Sequence, residues 1–213
     1  MSRFMLPMIV LGCVFVVLTQ QVHAHRPVFT DDAATSPDTA VSLSEPDVSQ
    51  VVYREITADS PQVWLGFDVP EDFELYVQIG VPVLDRLKDF RPAMAVVGPG
   101  LLKEDLPFAI PGSTGAKVLT TDDVEQPRLF HEHFTDTKSW ILRSETVPLS
   151  QAGRYYLVAF VPERESTNDS HEKTKQQTGK LWLSIGRKES FTLKDWQKFP
   201  TWRELIREFH EAD

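Results

Sequence analysis

"QVWLGFDVPEDFELYVQI", residues 62–79, decides the fold class. In its first half Val63, Leu65, Phe67 and Val69 alternate with Trp64, Gly66 and Asp68. In its second half Phe73, Leu75, Val77 and Ile79 alternate with Glu74, Tyr76 and Gln78. A period of two sends successive side chains to opposite faces of an extended chain, so each half reads as a strand with one buried and one wetter face. Pro70-Glu71-Asp72 between them is a turn-like triplet. One buried and one wetter face is typical of strands in antiparallel sheets.

Similar signals extend in both directions. Upstream, Val51 to Ile56 is a further strand candidate. Downstream, Ala93 to Val97 is short and apolar and stops at Gly98-Pro99-Gly100. Lys117 to Thr120 and Trp140 to Val147 follow. "GRYYLVAFV", residues 153–161, is apolar on both faces, as a central strand should be. "KLWLSIG", residues 180–186, places Leu181, Leu183 and Ile185 on one face. The segment 162–179 between the last two is polar throughout and reads as a long hairpin loop; Asn168-Asp169-Ser170 within it matches a glycosylation sequon.

The chain ends in helical signals. Thr201-Trp202-Arg203-Glu204 has capping-box spacing, and Trp202, Leu205, Ile206 and Phe209 fall on one helical face. A shorter helix is expected over Leu193 to Lys198. Eight or so short strands followed by a helical end predict an all-β, antiparallel β-sandwich, jelly-roll or immunoglobulin-like, with a C-terminal α-helix. The apolar stripe of that helix pads the sandwich or, in a sharper reading, meets a partner or a membrane surface.

Residues 1–24 read as a signal peptide. Arg3 precedes an apolar run from Phe4 to Leu18, and Val22-His23-Ala24 suits a signal peptidase site. The run is about 15 residues, where a bilayer-spanning helix needs roughly 20. A lipoprotein signal ending at Cys13 is a rival, but the chain stays apolar beyond it through Leu18. An uncleaved anchor ranks third. The domain plan is therefore a signal peptide over 1–24, an extended arm rich in Asp, Ser, Thr and Pro over 25–50, a β-sandwich over 51–190 and a helical segment over 191–213. Export implies a periplasmic or extracellular address.

Cleavage after Ala24 removes the single cysteine, Cys13, and makes the formal charge of −9 one unit more negative by the loss of Arg3. A chain of that kind has no disulfide, no thiolate metal site and no cysteine nucleophile, and it must be held by its core. Its acidity argues against nucleic acid or an anionic membrane as the main partner. Membrane contact is expected only through the signal segment or the C-terminal helix.

Two resemblances accompany these signals. "ETVPLSQAGRYYLVAFVP", residues 145–162, is similar to the closing strands of bacterial pre-peptidase C-terminal-like β-sandwich domains. "EPDVSQVVYREI", "LYVQIGVPVLDRLKDFRPAMAVVGPG" and "GKLWLSIGRKESFTLKDW" resemble a family of exported microbial proteins of unassigned function. Both imply an exported sandwich, and neither implies an activity.

No standard enzyme signature is present. There is no Gly-x-Ser-x-Gly elbow and no His-Glu-x-x-His, and "GSTGAK", residues 112–117, lacks P-loop spacing. Asp31-Asp32 and Asp122-Asp123 have no EF-hand pattern and read as solvated loop carboxylates. The candidate metal ligands are histidines. "FHEHF", residues 130–134, would place His131 and His133 on one strand face and Glu132 on the other. His25, made N-terminal by cleavage, would offer an amine and an imidazole to one Cu(II), and tetragonal nitrogen ligation suits that ion. The "HAH" junction, residues 23–25, resembles the processing sites of periplasmic copper carriers and of lytic polysaccharide monooxygenases. The resemblance implies a histidine brace of His25 with His131 or His133. The monooxygenases usually carry disulfides, and some copper carriers are rich in methionine, whereas here only Met94 follows the cut.

The leading expectation is an exported, non-catalytic binding or interaction module for a protein or carbohydrate ligand, with Trp64, Tyr76 and Trp182 as candidate surface aromatics. A periplasmic copper-binding protein is the alternative, and a copper-dependent polysaccharide oxidase the second alternative. No nucleophile–base pair can be named, which disfavours an enzyme.

Overall fold

A computed structural model describes residues 25–30, 33–162 and 177–211. The expected signal peptide, the Asp31-Asp32 pair, and the sequon with most of its loop lie outside the described residues. Among the described residues eleven strands form two packed sheets, and one α-helix follows. The all-β sandwich with a C-terminal helix is therefore the observed fold.

The opening stretch supplies one strand to each sheet. β4 (Gln62–Val69) belongs to a five-stranded sheet and β5 (Phe73–Pro82) to a six-stranded one. The five-stranded sheet runs β2 (Val41–Ser42), β4, β10 (Gly153–Phe160), β6 (Ala93–Gly98), β7 (Gly115–Leu119). The six-stranded sheet runs β1 (Arg26–Val28), β3 (Gln50–Ile56), β11 (Gly179–Ile185), β5, β9 (Thr137–Leu149), β8 (Arg128–Glu132). Their facing sides make the main core: Leu65, Phe67, Tyr155 and Leu157 meet Leu75, Ile79, Leu181 and Leu183. β10 lies between β4 and β6, so both its faces are covered, as its apolar sequence requires.

Three features depart from the expected pattern. The 25–50 segment is extended, yet it also forms edges of both sheets: β1 pairs with β3 and β2 with β4, each in parallel. The sandwich is thus antiparallel except at these two edges. The helix α1 (Leu193–His210) is one continuous element whose capping box is Thr192 with Asp195 rather than Thr201 with Glu204. The Thr192 hydroxyl accepts from the Asp195 amide at 3.3 Å, and the carboxylate accepts from the Thr192 amide at 2.8 Å. Pro200 sits inside the helix, where it lacks the N–H that would bond the carbonyl four residues back.

The six-stranded sheet is strongly curled. Laid flat, its edge strands would stand about 24 Å apart, five spacings of roughly 4.8 Å. Instead His25, beside β1, and Glu132, on β8, line one small cavity. A bulge contributes: the β5–β9 register shifts between Ile79 and Gly80, leaving Leu142 as the extra residue. The outer face of this sheet becomes concave, and α1 closes part of it.

Candidate functional site

The parity of each strand decides what faces this concavity. On β3, Val51 and Tyr53 turn outward, opposite to Val52 in the main core; on β11, Trp182 and Ser184 do so. Arg128, Phe130 and Glu132 of β8 lie across from Ile141, Ser139 and Thr137 of β9 on the same side. His25, Pro27 and Phe29 alternate along the first strand toward it, and Phe29 stacks on Tyr53 at 5.9 Å. Val51, Ile141 and Trp182 make a small second core with Tyr53 and Phe130.

Three voids meet at His25. A cleft of about 340 Å³ is lined by Ser49, Tyr76, Gln78, Arg128, Phe130 and Arg187. A cavity of about 190 Å³ lies beneath α1, walled by Tyr53, Glu132, Phe134, Phe191, Phe199 and Trp202. A pocket of about 20 Å³, with Ser139, Trp182 and His210, adjoins them. The His25 Nδ1 lies 2.5 Å from the Ser49 hydroxyl, which fixes the ring between the three.

The helix is tied to the sheet by a buried polar chain. The Trp182 indole N–H donates to Ser139 Oγ at 3.1 Å, and Ser139 lies 3.0 Å from His210 Nε2. His210 Nδ1 is 2.7 Å from the Ile206 carbonyl, which can only accept. Nδ1 therefore carries the hydrogen, and in the neutral ring Nε2 accepts from the serine hydroxyl. Burial holds the His210 pKa below its ordinary value, reinforced by the Lys180 ammonium and opposed by the Ile206 hydrogen bond. Arg207 adds a 2.6 Å bond to the Thr135 carbonyl.

Glu132 is half-buried, and burial raises its pKa against the lowering effect of the Phe134 amide and of His133 and His131. Its Oε1 accepts from that amide at 3.0 Å. No lysine or arginine among the described residues pairs with it. Burial, with the Glu132 charge as a smaller cause, holds the Tyr53 phenol well above its usual range.

In the cleft, Gln78 donates to the Tyr76 hydroxyl at 3.0 Å and to Ser144 Oγ at 2.7 Å. The Arg187 guanidinium stacks 4.1 Å over the Tyr76 ring. Ser184, 0 % exposed, stands across from Gln78 with its hydroxyl unbonded among the described residues. Arg128 lines the wall with no ion-pair partner among them.

The sequence-predicted ligands do not gather. His133, in the turn beyond the end of β8, lies against the face that His131 takes, with ring centroids 4.6 Å apart. That is the face of Leu129 and Trp140, opposite to Glu132, and His131 there bonds Asp136 at 2.8 Å. His25 belongs to the Glu132 face. The parity of β8 thus turns His131 away from His25. Among the described residues no three of His, Cys, Asp and Glu come together as a metal site. Of the candidate surface aromatics, Trp64 is buried beneath Phe108 and Trp182 beneath the helix network, while Tyr76 lines the cleft. Glu132, Arg128 and His210 were not singled out from sequence. Only Glu132 carried a signal, its position between the two histidines.

Comparison with known proteins adds a distant likeness. A solved pre-peptidase C-terminal domain of a collagenase from Bacillus anthracis matches with a TM-score of 0.33 and 8 % identity, covering 68 % of this chain and 93 % of that one. No family model matches the chain, and no curated protein does.

Proposed function

We propose that the protein is an exported, non-catalytic binding module that takes a polar, anion-bearing ligand in the cleft on the concave face. The observation that carries this reading is Arg128, a cation on the wall of a cleft of about 340 Å³ with no ion-pair partner among the described residues. An arginine fork matches a carboxylate bidentately, and a second guanidinium, Arg187, lies on the same wall. Gln78 and Ser49 supply polar groups, Phe130 and Ile141 an apolar side, and Glu189 one carboxylate on the same wall as the two guanidiniums. Concave sites with a few convergent polar groups are where small ligands bind.

The test is an NMR-monitored titration of the purified protein with uronic-acid oligosaccharides, neutral oligosaccharides and acidic peptides. Shifts at Tyr76, Gln78 and Phe130 from an acidic probe, lost in Arg128→Gln, support the reading. Shifts confined to other surfaces, or equal affinity of Arg128→Gln, overturn it. Export is tested by the mass of protein recovered outside the cytoplasm: loss of residues 1–24 is the expected result.

A further inference from the structure

The second void, beneath α1, has a different chemistry from the cleft. We propose that it binds a small organic ammonium cation, with its charge against the Glu132 carboxylate and its alkyl groups against Tyr53, Phe134, Phe191, Phe199 and Trp202.

The walls argue for this class. At about 190 Å³ the cavity far exceeds one water, which needs only about 10–15 Å³. Five of its lining side chains are aromatic, and they are held as a set by α1. Phe199 packs against Phe134 at 5.1 Å, Phe191 at 5.5 Å and Trp202 at 5.7 Å. Ring faces carry partial negative charge and attract cations, and cages of such rings hold quaternary ammonium groups. Phe134, 37 % exposed, stands where the cavity reaches the surface.

Glu132 supplies the selectivity. Among the described residues it is the one carboxylate on the wall. Oε1 takes the Phe134 amide, while Oε2 has no donor among the described residues. A neutral apolar guest would strip water from this oxygen and give nothing in return. An anion would be repelled. A bare primary ammonium brings three N–H donors, but beyond Glu132 the wall offers chiefly ring faces, and the Thr135 hydroxyl is engaged with Thr137 at 2.8 Å. A methylated ammonium presents alkyl groups to the rings and one charge to the carboxylate, which is what the cavity can satisfy.

The experiment is calorimetric titration of the full protein at pH 8. The probes are choline and its uncharged isostere 3,3-dimethyl-1-butanol. Choline is expected to bind at least about tenfold more tightly, the scale of a desolvated cation–π and charge contact. Glu132→Gln, which keeps the shape, should remove most of that ratio. Equal binding of the two probes, no choline binding, or a ratio unchanged in Glu132→Gln overturns the proposal. If Glu132→Gln does not fold, the probe ratio in the natural protein decides. These outcomes leave the acidic-ligand cleft untouched, since its test reads Arg128, Tyr76 and Gln78.

Discussion

The outer faces of the two sheets cover a tryptophan each, by different means. On the five-stranded sheet, Trp64 is 1 % exposed and packs edge-on against Phe108 and Tyr156. Leu106, Phe108 and Ile110, from the loop between β6 and β7, lie over Ala93, Ala95 and Val97. Small residues below and large ones above make a dry layer. On the six-stranded sheet, Trp182 is 4 % exposed, but its neighbours include Ser139, Ser184, Glu132 and His210. A rigid helix spans this concave face and contacts it along one side only, so voids remain. A loop can settle onto a sheet residue by residue, whereas a helix holds a fixed cylinder above a curved floor. The candidate sites lie on the second face for that reason.

Substitutions can break this comparison. Trp64→Ala and Trp182→Ala should each cost about 3–5 kcal/mol in denaturant unfolding, the range for large core deletions. Only Trp182→Ala should also speed amide exchange along α1, because it removes a member of the chain through Ser139 to His210. If both variants leave α1 equally protected, the helix does not depend on that network.

Two glycines offer a finer contrast. A Cβ at Gly80 would sit 2.3 Å from Trp182 Cζ2 and 2.8 Å from the Trp140 carbonyl, neither of which can retreat. Gly80→Ala should cost about 1–3 kcal/mol. A Cβ at Gly66 meets the end of Arg154, 2.5 Å from Nη2, on the outer side of the five-stranded sheet. That guanidinium can swing away, so Gly66→Ala should stay within about 0.5 kcal/mol. Thermal melts of the two variants measure the difference, and equal melting points would refute the tight seating of Trp182.

Trp182→Phe tests the polar chain alone, since it keeps a ring and deletes the N–H donor. It should cost about 1–2 kcal/mol beyond the lost ring area, by leaving Ser139 short of a donor.

The smallest expected effect is a pH dependence. His210 has a folded pKa below 6.5, so below that pH the unfolded chain binds more protons than the folded one. Stability therefore falls as pH drops from 6.5 to the folded value. Glu132 acts with the opposite sign: its folded pKa lies above 4.5, so its contribution weakens as pH rises from 4.5 to that value. His210→Gln should flatten the first slope and Glu132→Gln the second, read as urea midpoints between pH 4 and 8.

Much of this was legible from local pattern. Alternation in 62–69 and 73–79 gave β4 and β5 with their buried faces, and "GRYYLVAFV" read as the central strand it is. The C-terminal helix was legible too, but not its unity: one helix was expected over Leu193 to Lys198 and another from Thr201, and α1 runs through both. β1 and β2 were not legible, and β8 only in part, as the strand supposed for residues 130–134. Two- and three-residue parallel edges carry no period of their own, and β8 alternates weakly with Leu129 outside and 58 % exposed.

The candidate sites follow the same division. The sequence by itself determined the sandwich and, once residues 130–132 are extended, the opposite placement of His131 and Glu132. Those properties are local, fixed by a backbone that turns each side chain half a revolution from the last. Only the tertiary structure decided that His25 meets Glu132 rather than the histidine pair, and that clefts open on the curled face. That outcome depends on the sum of strand twist, one bulge at Gly80 and the seat of α1, none of which has a signature in any single stretch of chain.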